Sequence, residues 1–266
     1  MKIYYLLTII PALLMVYTAY EIFEFRFRKY VHYKLDLGLG IRACLITDLH
    51  NKSFTKRDLR LLAAEKPDCF FMAGDLLISK EKDYKRGLEA VRQLCALAPV
   101  YFSLGNHELK YRKYYSDQWE AFIKALPGNC YVLDNSHRKL GEGAEIFGIS
   151  LRLEHYKKGK LYDMSKEDTD VFKDIPAGKK KILLAHDPDF YEYYDRVLDA
   201  DLIVSGHLHG GFVRLPFIGG LVFSRYGVKH RVKGIYAGKH LVSSGAGEHL
   251  MPLRVFNRCE IDIIDL

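Results

Sequence analysis

The histidine and acidic residues of this chain recur in short motifs that could hold metal ions. In chain order the motifs are Asp48-Leu49-His50, Gly74-Asp75, Gly105-Asn106-His107-Glu108, His186 and Gly206-His207-Leu208-His209. Each motif is common by itself, but five in one order are a strong joint signal. Imidazole nitrogens mixed with carboxylate and amide oxygens suit manganese, iron or zinc better than calcium, which prefers oxygen alone. The sequence therefore predicts a site for divalent metal ions.

The carboxylate of Asp75 could bridge two such ions. A separation of about 3.5 to 4 Å between two metals clamps the attacking and leaving oxygens of phosphoryl transfer. Asp48 and His50 stand two positions apart, so in an extended backbone both side chains can reach one cation. The other candidate ligands are Asn106, His186 and His207 for the second ion and His209 for the first. A hydroxide that bridges the ions would be nucleophilic near neutral pH, because metal binding lowers the pKa of water by many units.

Apolar runs that predict strands precede these motifs. The runs occupy residues 41–47, 69–73, 100–104, 181–185 and 202–205. Helical spacing across residues 55–65 and 84–97, each stopped by a following proline, separates the first three runs. This alternation predicts an α/β fold whose parallel strands present their ligands at their carboxyl ends. Residues 109–118 and 154–173 are expected to be loops that select the substrate.

The ordered motifs resemble those of the calcineurin-like metallophosphoesterases from about Ile41 to His209. The resemblance implies a four-layer fold of two packed mixed sheets flanked by helices. It also implies that Asp75 is shared, that one metal is held by Asp48, His50 and His209, and that the other is held by Asn106, His186 and His207. His107 would contact the substrate phosphate as the acid. Residues 206–211, followed by 214–220, are similar to a membrane-anchored bacterial branch that contains phosphodiesterases and enzymes that cleave a lipid-linked pyrophosphate.

Residues 1–24 are expected to form a transmembrane anchor. Residues 3–20 carry no charge, and as a helix they would span about 27 Å, close to the hydrocarbon thickness of a bilayer. A cleaved signal peptide and a buried helix are the alternatives. Residues 25–40 read as a basic and aromatic linker, and residues 41–266 as the catalytic domain. The cations that follow the apolar segment favour the cytoplasmic side for this domain.

The remaining composition restricts the partners. The net charge of +7 is spread along the chain, so nucleic acid is not expected as a partner. We also expect a monomer. The cysteines, Cys44, Cys69, Cys95, Cys130 and Cys259, show neither a Cys-x-x-Cys motif nor the pattern of a disulfide framework.

The predicted function is hydrolysis of a phosphodiester or pyrophosphate, with lipid-linked substrates among the candidates, by means of two divalent metal ions (manganese, iron or zinc). A catalytically idle metal-binding module that holds an anionic surface is the alternative. Glu108 and Asp187, which adjoin candidate ligands, could orient imidazoles or act as plain helix caps. Glu248, His249 and Arg254 could border the phosphate pocket.

Overall fold

The computed structural model describes residues 2–25, 27–156, 178–215, 218–220, 231–247 and 254–266. The helices are α1 (Lys2–Phe25), α2 (Lys56–Glu65), α3 (Lys85–Cys95), α4 (Asn106–Tyr114), α5 (Ser116–Ala125) and α6 (Tyr191–Leu198). The strands are β1 (Lys29–Lys34), β2 (Arg42–Ile46), β3 (Cys69–Ala73), β4 (Val100–Ser103), β5 (Cys130–Leu133), β6 (Ser136–Leu140), β7 (Ala144–Ile149), β8 (Lys180–Ala185), β9 (Leu202–Ser205), β10 (Arg214–Leu215), β11 (Gly219–Gly220), β12 (Gly234–Tyr236), β13 (His240–Val242) and β14 (Glu260–Asp265).

Two mixed sheets form the centre of the fold. Within the described ranges the first sheet has the order β1-β14-β2-β3-β4-β5, and the second has the order β12-β13-β9-β8-β7-β6. Strands β2 to β5 run parallel, as do β7, β8, β9 and β13. Antiparallel pairing of β14 with β2, of β6 with β7 and of β12 with β13 makes both sheets mixed. The short β10 and β11 form a separate antiparallel pair.

Alternation along each central strand separates the core into layers. On β2, Cys44 and Ile46 pack under helices α2 to α5, whereas Ala43 and Leu45 face the second sheet. The far side of the second sheet is covered by α6, where Tyr194 packs with strand residues. Strands that are buried on both faces read as continuous apolar runs, which is why the sequence revealed them. The predicted α/β fold with mixed sheets flanked by helices is confirmed.

One segment expected to be a linker and one expected to be a loop form regular secondary structure instead. Residues 29–34, in the expected linker, form β1 and pair with β14 from Lys29↔Glu260 to Lys34↔Asp265. Residues 109–118, expected to be a substrate loop, lie almost wholly in α4 and α5, which meet at Tyr115. Their apolar side chains, including the fully buried Tyr111, pack into the core, so the expectation of a loop was wrong.

The amino-terminal segment is helical, as α1, and contains Pro11. Within the part of the chain that the structure describes, no helix is long and apolar enough to cross a membrane. The predicted transmembrane anchor is therefore not confirmed.

Candidate metal centre

The candidate ligands lie in the tight turns that follow parallel strands of both sheets. Five of the candidate ligands have positive φ angles between 47° and 70°, namely Asp48, His50, Asp75, His207 and His209. Backbone hydrogen bonds fasten these turns to one another: the Asp48 amide donates to the Gly74 carbonyl, and the His50 amide donates to the Asp75 carbonyl, both at 3.0 Å. Positive φ is uncommon for residues other than glycine and is often found at functional sites. The strand ends therefore bring distant motifs to one place.

The first ligand group consists of Asp48, His50 and His209. Their ligand atoms all lie within 4.8 Å of one another, and the Nε2 atoms of His50 and His209 are 3.4 Å apart. All three residues are buried. Burial lowers the pKa of His50 to about 3, and burial followed by the nearby Arg254 cation holds the pKa of His209 well below its usual value. Both rings are therefore neutral at pH 7 and have lone pairs available for a cation.

The second ligand group consists of Asp75, His186 and His207. The Nε2 atom of His186 lies 3.1 Å from Oδ2 of Asp75 and 3.2 Å from Nδ1 of His207. Burial, which lowers the pKa of His186, is outweighed by the Asp75 carboxylate, and the pKa rises to about 10. In the ion-free protein His186 therefore carries a proton that a metal must displace, so metal binding here releases a proton. At its other nitrogen, Nδ1, His186 contacts the Ala73 carbonyl at 2.9 Å, which fixes the ring with Nε2 towards the site.

Asn106 completes the predicted ligand set as the first residue of α4. Its side-chain oxygen is buried and, among the described residues, has no hydrogen-bond partner. A buried amide oxygen without a partner is unfavourable unless a ligand satisfies it, so this atom fits a metal ligand. The donors, neutral imidazoles with carboxylate and amide oxygens, match those that bind manganese, iron or zinc. The residues present therefore fit two divalent cations.

His107 lies beside both groups and is positioned by the backbone. The Ser79 amide donates to its Nδ1 at 3.0 Å, so the neutral ring carries its proton on Nε2. That Nε2 lies 4.0 Å from Oδ2 of Asp75. Burial lowers the pKa of His107, which favours this neutral form. His107 also belongs to a third possible ligand group, with His50 and Asp75, so its role as acid stays a prediction.

Glu108 supports the site through backbone contacts, and within the described ranges it forms no hydrogen bond with an imidazole. Its buried carboxylate accepts from the backbone amides of Asp75 at 2.8 Å, Leu77 at 2.8 Å and Gly105 at 2.9 Å. Burial and the nearby Asp75 carboxylate raise the pKa of Glu108 to about 7. Of the two expected roles, the cap is the one that the structure favours. This cap also holds the turn that carries Asp75.

Asp187 does contact an imidazole, but that of a residue outside the predicted ligand set. Its Oδ2 lies 3.3 Å from Nε2 of His155, and its Oδ1 accepts from the Asp189 amide at 2.9 Å. Hydrogen bonding to His155 and the nearby His207 hold the pKa of Asp187 low although burial opposes them. Tyr156, the residue after His155, meets the ring of His207 edge-on, with 5.5 Å between the ring centroids. Sequence reasoning missed His155, because no local motif or spacing links it to Asp187.

Arg254 lies against the candidate ligand His209. Its guanidinium lies 3.1 Å from Nδ1 of His209 and donates to the carbonyls of Ser244 and Gly247, each at 2.7 Å. Asn257 donates to the His209 carbonyl at 2.7 Å. That Arg254 could border the phosphate pocket stays a prediction, and its contacts in the structure hold the candidate ligand His209. Its proposed neighbours 248 and 249 lie outside the described residues, as do residues 157–177 and 216–217.

The chain is similar to known metallophosphoesterases. A family model described as calcineurin-like phosphoesterase matches residues 41–211. An uncharacterised metallophosphoesterase of Campylobacter jejuni is 31% identical over 243 residues, which cover 87% of this chain but 60% of that protein. One of Aquifex aeolicus is 25% identical and covers 97% of both chains. The phosphodiesterase YaeI of Escherichia coli is 24% identical, with coverage of 87% and 84%. Because the family model matches well over half of the chain and covers every candidate ligand, the chain belongs to the calcineurin-like phosphoesterase family.

Proposed function

We propose that the protein hydrolyses phosphodiesters or pyrophosphates with two divalent cations. The observation that carries this proposal is the overlap of the ligand groups. Asp75 belongs to the group that contains His186 and His207. Asp75 also shares a group with His50, and His50 belongs to the group that contains Asp48. Asp75 is therefore suited to bridge two cations. When bound, two such cations would activate water as a nucleophile and neutralise charge that develops on the phosphoryl oxygens.

The protein's own residues would orient the phosphate and transfer protons. Because the Ser79 amide occupies Nδ1 of His107, Nε2–H is the group that can donate to an ester oxygen. A well-placed donor or acid at the leaving group contributes roughly 10² to 10⁴ in rate. Glu108 and Arg254 do not need to touch the substrate, since they hold Asp75 and His209.

The preference for a diester has separate support. The Escherichia coli relative is called a phosphodiesterase, and it covers most of this chain. A panel of monoesters, diesters and nucleoside pyrophosphates, each tested with manganese, zinc and ferrous iron, tests the preference. Faster turnover of monoesters than of diesters and pyrophosphates would refute it.

Hydrolysis of bis(p-nitrophenyl) phosphate separates the enzyme from an idle metal-binding module. Asp75→Asn should lower the rate by at least about 10²-fold, because the shared ligand loses its charge. Asp36→Asn removes the same charge from an exposed position and should leave the rate unchanged. Equal rates for the wild type and Asp75→Asn, at equal protein and metal concentration, would contradict the proposal.

We propose further that the enzyme acts at the cytoplasmic face of a membrane. Support comes from α1, where Ile9, Ile10, Leu13, Met15 and Val16 are each more than half exposed. Exposed apolar side chains at this density are typical of surfaces that meet lipid or another protein. Flotation of the full chain with anionic vesicles tests the association, and Leu13→Glu with Val16→Glu should abolish it. A chain that stays unbound at low salt would refute membrane association.

A further inference from the structure

A single turn of 3₁₀ helix, Leu153–Tyr156, lies beside the second ligand group. Its first residue, Leu153, packs against the core under helices α2 to α5. Its last residue, Tyr156, packs against that core and also against the core under α6. The turn therefore connects the outer layers of the two sheets close to the edge where the candidate ligands lie.

Within this turn, His155 contacts Asp187, the residue that follows the candidate ligand His186. Both side chains are buried, and Nε2 of His155 lies 3.3 Å from Oδ2 of Asp187. Because a carboxylate accepts hydrogen bonds and does not donate them, this nitrogen carries the proton. The other carboxylate oxygen, Oδ1, accepts the Asp189 amide at 2.9 Å. Through Asp187, His155 therefore fixes the backbone that follows His186.

Tyr156 contacts the other imidazole of the second ligand group. Its ring meets that of His207 edge-on, with 5.5 Å between the ring centroids. On the chain side, the ring of His155 meets that of Tyr156 edge-on at 5.0 Å. Packing of this kind restricts the rotation of a ligand side chain. Two consecutive residues thus hold both imidazoles of one ligand group.

The first ligand group is supported by a different part of the chain. Arg254 lies 3.1 Å from Nδ1 of His209, and Asn257 donates to the His209 carbonyl at 2.7 Å. These contacts come from the carboxyl-terminal region, whereas the contacts of the second group come from residues 153–156. A change at residue 155 or 156 is therefore directed at the second group.

We propose that His155 and Tyr156 are positioning residues that set the affinity of the protein for the ion of the second ligand group. This inference rests on the proposed two-ion centre and adds the residues that decide how tightly one of its ions is held. Residues that orient metal ligands from outside contribute roughly 10- to 100-fold to metal affinity. Without His155, the buried carboxylate of Asp187 loses this partner, and the turn after His186 is less firmly held. The ion of the first group should remain bound, because other residues hold its ligands.

Manganese binding by the full-length, metal-free protein tests the proposal. Equilibrium dialysis gives the number of bound ions and their dissociation constants, and electron paramagnetic resonance detects two magnetically coupled ions. The wild type should bind two ions. His186→Ala, which removes a ligand, identifies the constant that belongs to the second group. His155→Leu should raise this constant roughly 10- to 100-fold and leave the other unchanged. His155→Gln retains a side-chain N–H donor for Asp187 and should recover most of the affinity.

Variants of Tyr156 give an independent comparison that does not require His155→Leu to fold. Tyr156→Ala should weaken binding of the same ion, whereas Tyr156→Phe keeps the ring and should bind it as the wild type does. His137→Leu is the matched control, because His137 contacts the buried carboxylate of Glu145 at 3.1 Å on β6 and β7, which carry none of the candidate ligands. Both manganese constants of this control should equal those of the wild type.

The possible results separate this inference from the proposed function. A wild type that binds only one ion would overturn the two-ion centre and the inference with it. If the wild type binds two ions and both constants are unchanged in His155→Leu and Tyr156→Ala, the inference alone is wrong. Equal weakening of both ions in these variants, or the same loss in His137→Leu, would show a general loss of stability and would also overturn it.

Discussion

Alanine at Gly105 should disable the metal centre while the fold survives. Gly105 has φ −95° and ψ −177°, an extended conformation that any residue adopts, so the substitution adds no backbone strain. A Cβ atom at this position would lie 2.3 Å from Oδ1 of Asp75 and 2.6 Å from the Asp75 backbone nitrogen. The effect of the substitution is therefore steric and is directed at the shared ligand.

The size of the displacement follows from these distances. Ordinary van der Waals contact begins near 3.4 Å, so a contact of 2.3 Å requires the Asp75 carboxylate or the Gly105 turn to move by about 1 Å. The same Oδ1 accepts the His107 amide at 2.8 Å, so the shift also disturbs the start of α4. Misplacement of a catalytic group by 1 Å lowers the rate by roughly 10²-fold. Overpacking of this kind costs about 1 to 3 kcal/mol of stability, which most domains survive.

Three measurements together test this prediction. Gly105→Ala should bind less metal by elemental analysis, hydrolyse bis(p-nitrophenyl) phosphate about 10²-fold more slowly, and still unfold in one cooperative transition. Gly128→Ala is the matched control, because a Cβ at Gly128 has no heavy atom within 4 Å. If Gly105→Ala kept the metal content and rate of the control, the reasoning about Asp75 would be wrong.

Three further predictions concern stability. Glu108→Gln should lower the free energy of unfolding by about 1.5 to 3 kcal/mol in chemical denaturation, because its amide group cannot accept from all three backbone amides; an unchanged midpoint would refute the capping role. Asp262→Asn should stabilise the protein, because burial and the nearby Glu260 raise the pKa of Asp262 well above its usual value. The folded state then disfavours ionisation, so this gain should be small near pH 4, increase as the pH rises above the unfolded pKa and reach on the order of 1 to 3 kcal/mol at pH 8; a gain that does not depend on pH would contradict the cause. Removal of metal by a chelator should lower the unfolding temperature, since ions that bind only the folded state stabilise it by mass action; manganese should restore it in the wild type but not in Asp75→Asn.

The sequence predicted the parts of the site that depend on local patterns. Asp48 follows an apolar strand, and the carboxyl ends of neighbouring parallel strands share an edge, so the motifs could be assembled without coordinates. Gly206-His207-Leu208-His209 needed only this topology to be placed near Asp48. In the structure the His207 amide donates to the Asp48 carboxylate at 3.0 Å.

The contacts that could not be predicted are those between residues far apart in sequence. Arg254 meets His209 across 45 positions, and no spacing rule encodes this pair. The strand β1 was missed for a related reason. None of its residues is fully buried, and its partner β14 lies at the other end of the chain. Basic and aromatic residues in such an edge strand resemble those of a linker beside a membrane.

The positions of bound metal ions test the central claim most directly. Crystals grown with manganese should show two anomalous-scattering peaks about 3.5 to 4 Å apart, with the Asp75 carboxylate between them. One ion should be bound by Asp48, His50 and His209, and the other by Asn106, His186 and His207. A single peak, or two peaks of which neither contacts Asp75, would contradict the account.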